Sequence, residues 1–188
     1  MPSLDIQFMK QLHADPRAYD NFIETGTHLG GTILAMEPYF NRLYTIEVME
    51  ELWRNCKETY DGDKIEFLLG DSAVKLRELL PGIEGDSVIF LDGHCSGGGT
   101  GKGEKDCPLY EEIESIMTLH KGSALVIIDD ARLFGKGPIA GGCEQDWEDI
   151  HIDTILEQVA SRLTEHYFLP SSLDPEDRMV LHLGPVVA

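Results

Sequence analysis

Glu24-Thr25-Gly26-Thr27-His28-Leu29-Gly30-Gly31-Thr32 follows the apolar pair Phe22-Ile23 and opens a helix-like run from Ile33 to Phe40. An apolar extended segment, a glycine turn and a helix, in that order, begin a nucleotide-binding βαβ unit. The rest of the unit follows at once. Arg42-Leu43-Tyr44-Thr45-Ile46-Glu47 is a second apolar run ending on a carboxylate, and Glu47 stands about 20 residues beyond the turn, where a ribose-binding acid belongs.

The turn is not that of a dinucleotide site. G-x-G-x-x-G needs its second glycine because the pyrophosphate comes too close to the backbone for a side chain, and here that position is His28. Glu24, Glu47, Asp71 and Asp92 all fall at predicted strand ends, where they repel a pyrophosphate and attract a cation. S-adenosylmethionine, with a sulfonium and an ammonium against one carboxylate, suits such a rim. An NAD-dependent oxidoreductase and a non-catalytic S-adenosylmethionine-binding module are the alternatives.

On these residues the chain resembles the class I S-adenosylmethionine-dependent methyltransferases, whose first motif is an acid at the end of strand one followed by a glycine-rich turn. The resemblance covers nearly the whole chain. It implies that Gly26 and Gly30, with Thr27 and His28 between them, shape the turn around the methionine moiety, that Glu24 lies near its ammonium, and that Glu47 binds the ribose hydroxyls. Gly70-Asp71-Ser72 then matches the end of the third strand, where an acid faces the adenine amino group. The sequence departs from the family at His28, where the family turn has glycine.

Of 188 residues, 34 are acidic and 15 are Lys or Arg, a formal net charge of −19, so a nucleic-acid partner meets long-range repulsion and a small-molecule acceptor is favoured. The length suits one domain, spanning residues 1–188. No apolar run approaches the ~18 residues that cross a bilayer, and the start of the chain lacks a basic, then apolar, export signal. A soluble cytoplasmic protein without a membrane partner is expected, with homo-oligomerisation left open. The four cysteines, Cys56, Cys95, Cys107 and Cys143, lack C-x-x-C spacing and are expected to be free thiols.

Strands are predicted over residues 21–25, 43–47, 65–69, 87–92 and 123–129, with helical patterns between them. The alternation predicts an α/β, Rossmann-like sheet, mostly parallel, with helices on both faces. Val88 to Leu91 and Ala124 to Ile128 are continuously apolar, as central strands covered on both sides must be. A helix around 147–162 precedes two closing strands, 165–170 and 178–184, joined like a hairpin. The family's seven-stranded sheet with an antiparallel last strand has this count and order.

Leu91-Asp92-Gly93-His94 ends strand four and Ile128-Asp129-Asp130 ends strand five, so three carboxylates and an imidazole converge on the rim that holds the cofactor. Hard oxygen ligands in that number favour Mg²⁺ or another divalent cation as counter-charge. The pattern is similar to the metal-dependent O-methyltransferases of the macrocin and related sugar type, which carry Asp-x-Asp after strand four and Asp-Asp after strand five. That likeness implies Asp92, Asp129 and Asp130 as metal ligands and Asp92 and His94 as catalytic residues, His94 standing where the family has its base. Histidine replaces aspartate there, and it is a competent base at neutral pH. The implied reaction is methyl transfer to an oxygen of a small molecule, for instance a sugar hydroxyl.

Ser96 to Gly103 imitates a phosphate loop but has Ser96 where G-x-x-x-x-G-K-[ST] needs glycine and Gly103 where it needs Ser or Thr, and it follows strand four. The glycine-rich loops 93–106 and 131–146, the first with Lys102 and Lys105, are read instead as covers of the site. Trp147, Glu148 and His151 flank the second loop and are left unassigned.

Overall fold

The computed structural model describes residues 3–94, 107–138 and 146–186. In chain order the elements are α1 (Ile6–Met9), β1 (Asn21–Thr25), α2 (Gly31–Met36), β2 (Arg42–Glu47), α3 (Glu50–Thr59), β3 (Ile65–Leu69), α4 (Ser72–Leu79), β4 (Ser87–Leu91), α5 (Leu109–Leu119), β5 (Ala124–Ile128), α6 (Ile152–Val159), β6 (Leu163–Leu169) and β7 (Arg178–Leu183). Seven strands form one sheet in the order β3-β2-β1-β4-β5-β7-β6. The first five run parallel, and β7 lies antiparallel between β5 and β6. This is the Rossmann-like arrangement expected from the alternating pattern.

Alternation along each strand splits the core in two. Phe22, Leu43, Val88, Phe90, Leu125 and Ile127 pack on the side of α1 and α2, with Phe8, Met9, Ile33 and Met36. Ile23, Ile46, Ile89, Val126 and Ile128 pack on the side of α4, α5 and α6, with Leu76, Ile113, Ile116, Ile155 and Val159. Each of these side chains contributes about 1.5–3 kcal/mol on burial, so both faces of the central strands must be apolar. Among the described residues no helix is long and apolar enough to cross a membrane.

Register aligns the strand ends. Thr25 pairs with Ile46 on one side and Leu91 on the other, and Leu91 with Ile128, so the chain leaves β1, β2, β4 and β5 at one level.

The helix expected over 147–162 is shorter. Residues 147–150 instead fold against the turn after β5: Trp147 N donates to Lys136 O (3.0 Å), and Gly135 N donates to Trp147 O (3.1 Å) and Ile150 O (2.8 Å). Burial of Trp147 and Ile150 against the sheet outweighs the helical pattern, and α6 begins only at Ile152. β6 begins at Leu163, two residues before its expected start. Of the predicted covering loops, residues 95–106, with Cys95, Lys102 and Lys105, and residues 139–145, with Cys143, lie outside the described residues.

Candidate functional site

The turn after β1 is built by backbone geometry that side chains nearly forbid. Gly26 has φ +84°, and a Cβ there would lie 2.2 Å from the carbonyl oxygen of Asp92. Gly26 N and Thr27 N both donate to Ile46 O (2.9 and 3.2 Å). His28 also stands in the left-handed region, at φ 48°, which costs an L-residue about 1–2 kcal/mol. Its N–H is held by Glu47 Oε2 at 2.8 Å, while Glu47 Oε1 accepts from Met49 N at 2.8 Å. Glycine is thus dispensable at this position because a buried carboxylate ties the turn to the β2 loop. Each Glu47 oxygen retains a lone pair for a further donor.

Glu24 is buried beneath this turn and accepts from Thr45 Oγ1 at 2.8 Å, with Thr27 Oγ1 2.6 Å from Thr45 Oγ1. Burial raises its pKa well above the ordinary carboxylate range, Thr45 opposes this, and Asp92 and Glu47 add to it. A cation beside it would draw it into the ionised form. Asp71 caps α4, accepting from Ala73 N (3.0 Å) and Val74 N (3.4 Å), and Ser72 behind it is buried. Glu24, Gly26, Thr27, His28, Glu47, Asp71, Ser72, Asp92, His94, Asp129 and Asp130 line one cleft of ≈ 470 Å³; Gly30 shapes the turn with φ +74°.

At the ends of β4 and β5, His94 Nε2 lies 2.5 Å from Asp130 Oδ2, and its ring meets Trp147 edge-on at 4.8 Å between centroids. Asp130 takes φ 58°, so the chain turns there and Asp129 and Asp130 escape the opposite-face rule for neighbouring strand residues. Burial tends to raise the Asp130 carboxyl, but His94 and Arg132 outweigh it and bring it down to about 2. Asp130 is therefore an obligate acceptor, so in the neutral form of the ring Nε2 carries the hydrogen and Nδ1, 3.9 Å from Asp92 Oδ1, carries the lone pair. Burial alone would lower the His94 pKa; the Asp130 bond and the Asp92 charge more than reverse that. Burial, with Asp129 and Asp130 nearby, pushes Asp92 up to about 8 against the pull of His94.

Two arginines not singled out in the sequence neutralise this rim. Arg132 bonds Asp130 and buried Asp177, the latter at 2.7 and 2.9 Å, and Arg178 Nε bonds Asp129 Oδ1 at 3.0 Å. Among the described residues, Asp129, Asp130 and Asp177 bring carboxylate oxygens within 4.8 Å of one another; Asp92 is not in that group. The adjacency Asp129-Asp130-Ala131-Arg132 is the one local hint of this network.

Glu112 escaped sequence reading because it looks like one more acid on a helix. It is 2% exposed and Oε1 has no partner among the described residues; burial pushes its pKa up to about 7, against the opposing pull of the Ser72 and Thr25 hydroxyls. Trp147 Nε1 is likewise buried and unpartnered, and both side chains line a small cavity beside His94. Between pH 4.5 and 7 the folded Glu112 holds a proton that the unfolded one releases, so stability falls as pH rises through that window. Relative to Glu112→Gln, the native protein is expected to lose about 3 kcal/mol of unfolding free energy across it, measurable by urea denaturation at a series of pH values. Parallel pH dependence of the two proteins would overturn this.

No protein-family model matches the chain, and no curated protein matches it. Solved structures do. A protein of Klebsiella pneumoniae assigned as an O-methyltransferase aligns at 14% identity over 89% of this chain and 74% of its own, with a TM-score of 0.62. A protein of Listeria monocytogenes assigned as an S-adenosylmethionine-dependent methyltransferase aligns at 9% identity over 96% of this chain and 97% of its own, TM-score 0.52. The N-methyltransferase NodS of Bradyrhizobium japonicum WM9 aligns at 15% over 90% and 88%, TM-score 0.51. At these identities the likeness is one of fold, the class I methyltransferase fold, shared by neighbours named as O- and as N-methyltransferases.

Proposed function

We propose that this protein transfers a methyl group from S-adenosylmethionine to an oxygen of a small molecule, with His94 as general base. The observation that carries this reading is that the Gly26 turn with its two buried acids and the His94–Asp130 pair open onto the same cleft. Its ≈ 470 Å³ is the size of a small-molecule pocket. Glu24 would meet the donor's ammonium, Glu47 its ribose through the remaining lone pairs, and Asp71 and Ser72 its adenine. When bound, the donor supplies an electrophilic methyl group. This chain's part is to hold the acceptor hydroxyl in line and take its proton on Nδ1 of His94 as the new C–O bond forms and the methyl–sulfur bond breaks, S-adenosylhomocysteine leaving with the electron pair, with Asp130 stabilising the resulting imidazolium. The net charge of −19 and the acidic cleft favour an uncharged or cationic acceptor over nucleic acid.

A divalent ion fits less well. To reach Asp130 and Asp177 it would have to displace Arg132, which already answers their charge. Dialysis against EDTA is expected to leave turnover unchanged; loss of turnover restored by Mg²⁺ would reinstate Asp129 and Asp130, with Asp92 or Asp177, as ligands. The cofactor itself is tested by calorimetry, where S-adenosylhomocysteine should bind and NAD should not. The reverse result would move the protein to the oxidoreductases, and binding without turnover over a broad acceptor panel would make it a non-catalytic module.

A further inference from the structure

We propose that a second cavity, at the end of the sheet opposite the cleft, binds a single-chain amphiphile with an anionic head, of the fatty-acid carboxylate class. This does not depend on the methyl-transfer reading. The cleft lies at the carboxyl ends of the parallel strands; this cavity lies where the chain is about to enter β1 and β2. Its walls are Ile6, Met9 and Leu12 from the N-terminal segment and Met36, Tyr39 and Phe40 from the end of α2 and the turn that follows, around ≈ 320 Å³. That is within the range of small-molecule pockets, and the lining is apolar almost throughout. Two methionines give it walls that adapt to a flexible chain.

The charged groups stand at its rim, and they differ in how they are engaged. Asp15 turns back on its own backbone, accepting from Arg17 N at 3.0 Å. The Arg17 guanidinium has no ion pair among the described residues, and Lys10 Nζ makes only a 3.5 Å contact with Gln7 Oε1. Some other cations are matched to carboxylates, as Arg54, Lys75, Arg77, Arg132 and Arg178 are, and others are not; what sets Lys10 and Arg17 apart is their place on the rim of an apolar chamber. An apolar chamber bordered by two uncommitted cations is complementary to a hydrocarbon tail with an anionic head. Acids distant from the chamber are screened over a Debye length of about 8 Å; of the nearer ones, Asp5 and Asp15 accept from their own backbone turns and Glu37 accepts from Tyr60 Oη. A bilayer with anionic lipids would meet the whole acidic surface, so a free amphiphile is the favoured occupant.

The test is calorimetric titration of the intact protein with decanoate and with decyltrimethylammonium, which share a tail and differ in the sign of the head. Decanoate should bind with one-to-one stoichiometry and at least tenfold more tightly, in the presence or absence of saturating S-adenosylhomocysteine. Arg17→Glu, at an exposed position, should abolish that preference, and Ala14→Phe, which fills the chamber from a half-buried wall, should weaken both ligands at least tenfold. Equal affinity for the two heads in the native protein, binding insensitive to both variants, or competition with S-adenosylhomocysteine would each overturn the proposal. Failure of S-adenosylhomocysteine to bind would leave it standing, since the two sites share no residue.

Discussion

His94→Ala is expected to lower methyl transfer by about 10²–10⁴-fold, the usual worth of a positioned base, while S-adenosylhomocysteine binds with nearly native affinity. His94 makes its described contacts with Asp130, Asp92 and Trp147 and none with Glu24 or Glu47, so its loss should be felt in turnover. The pH profile offers a separate check. The base acts when neutral, so the rate rises with pH through the His94 ionisation, which lies above 6.5 because Asp130 and Asp92 stabilise the imidazolium. Asp92 loses its proton near pH 8 and each charge affects the other, so the rising limb belongs to the pair. Asp130→Asn removes the anion that orients the ring, and the midpoint should move to lower pH. A His94→Ala enzyme with native turnover, or a native profile flat from pH 6 to 9, would remove His94 from the chemistry.

Gly26→Ala is expected to have the largest effect on the fold. The new methyl would sit 2.2 Å from Asp92 O and 2.9 Å from Asp92 C, both backbone atoms, at a φ of +84° that already disfavours an L-residue. Neither a rotamer change nor side-chain movement relieves that contact, so β1 and β4 must part at the end that carries Asp92 and His94. A destabilisation of about 4 kcal/mol is expected, which at this chain length lowers the melting temperature by roughly 8–16 °C. S-adenosylhomocysteine binding should be lost even where the variant remains folded. Gly82→Ala is the control, since nothing lies within 4 Å of its added Cβ. Calorimetric melting of the two variants decides the matter, and equal melting temperatures would mean that the turn is more pliant than its geometry implies.

Much of the architecture is readable from patterns spanning ten residues or fewer. Val88 to Leu91 and Ala124 to Ile128 announce buried central strands because a strand covered on both faces has no polar side to display. Gly26 followed by Glu47 likewise declares a turn and a strand-end acid. The helix expected over 147–162 fails for the converse reason: helical periodicity says that Trp147 and Ile150 are apolar, not which partner buries them, and the turn after β5 takes them first. His28 stands in the turn without glycine's freedom, and the carboxylate that holds its N–H comes from the end of the next strand, which local sequence does not reveal.

Local sequence therefore establishes the strands, the glycine turn and the acidity of the rim, because each depends on the conformational preference and polarity of adjacent residues. What those acids do is settled by sheet order and register, which bring together groups far apart in the chain. Arg132 meets Asp177 across 45 positions and His94 meets Asp130 across 36. From these meetings come an ionised Asp130, a Glu112 whose pKa burial pushes up to about 7, and a rim already balanced by guanidinium groups. The physical reason is that a carboxylate's charge state follows its desolvation and its nearest partners, and both are properties of the packed molecule.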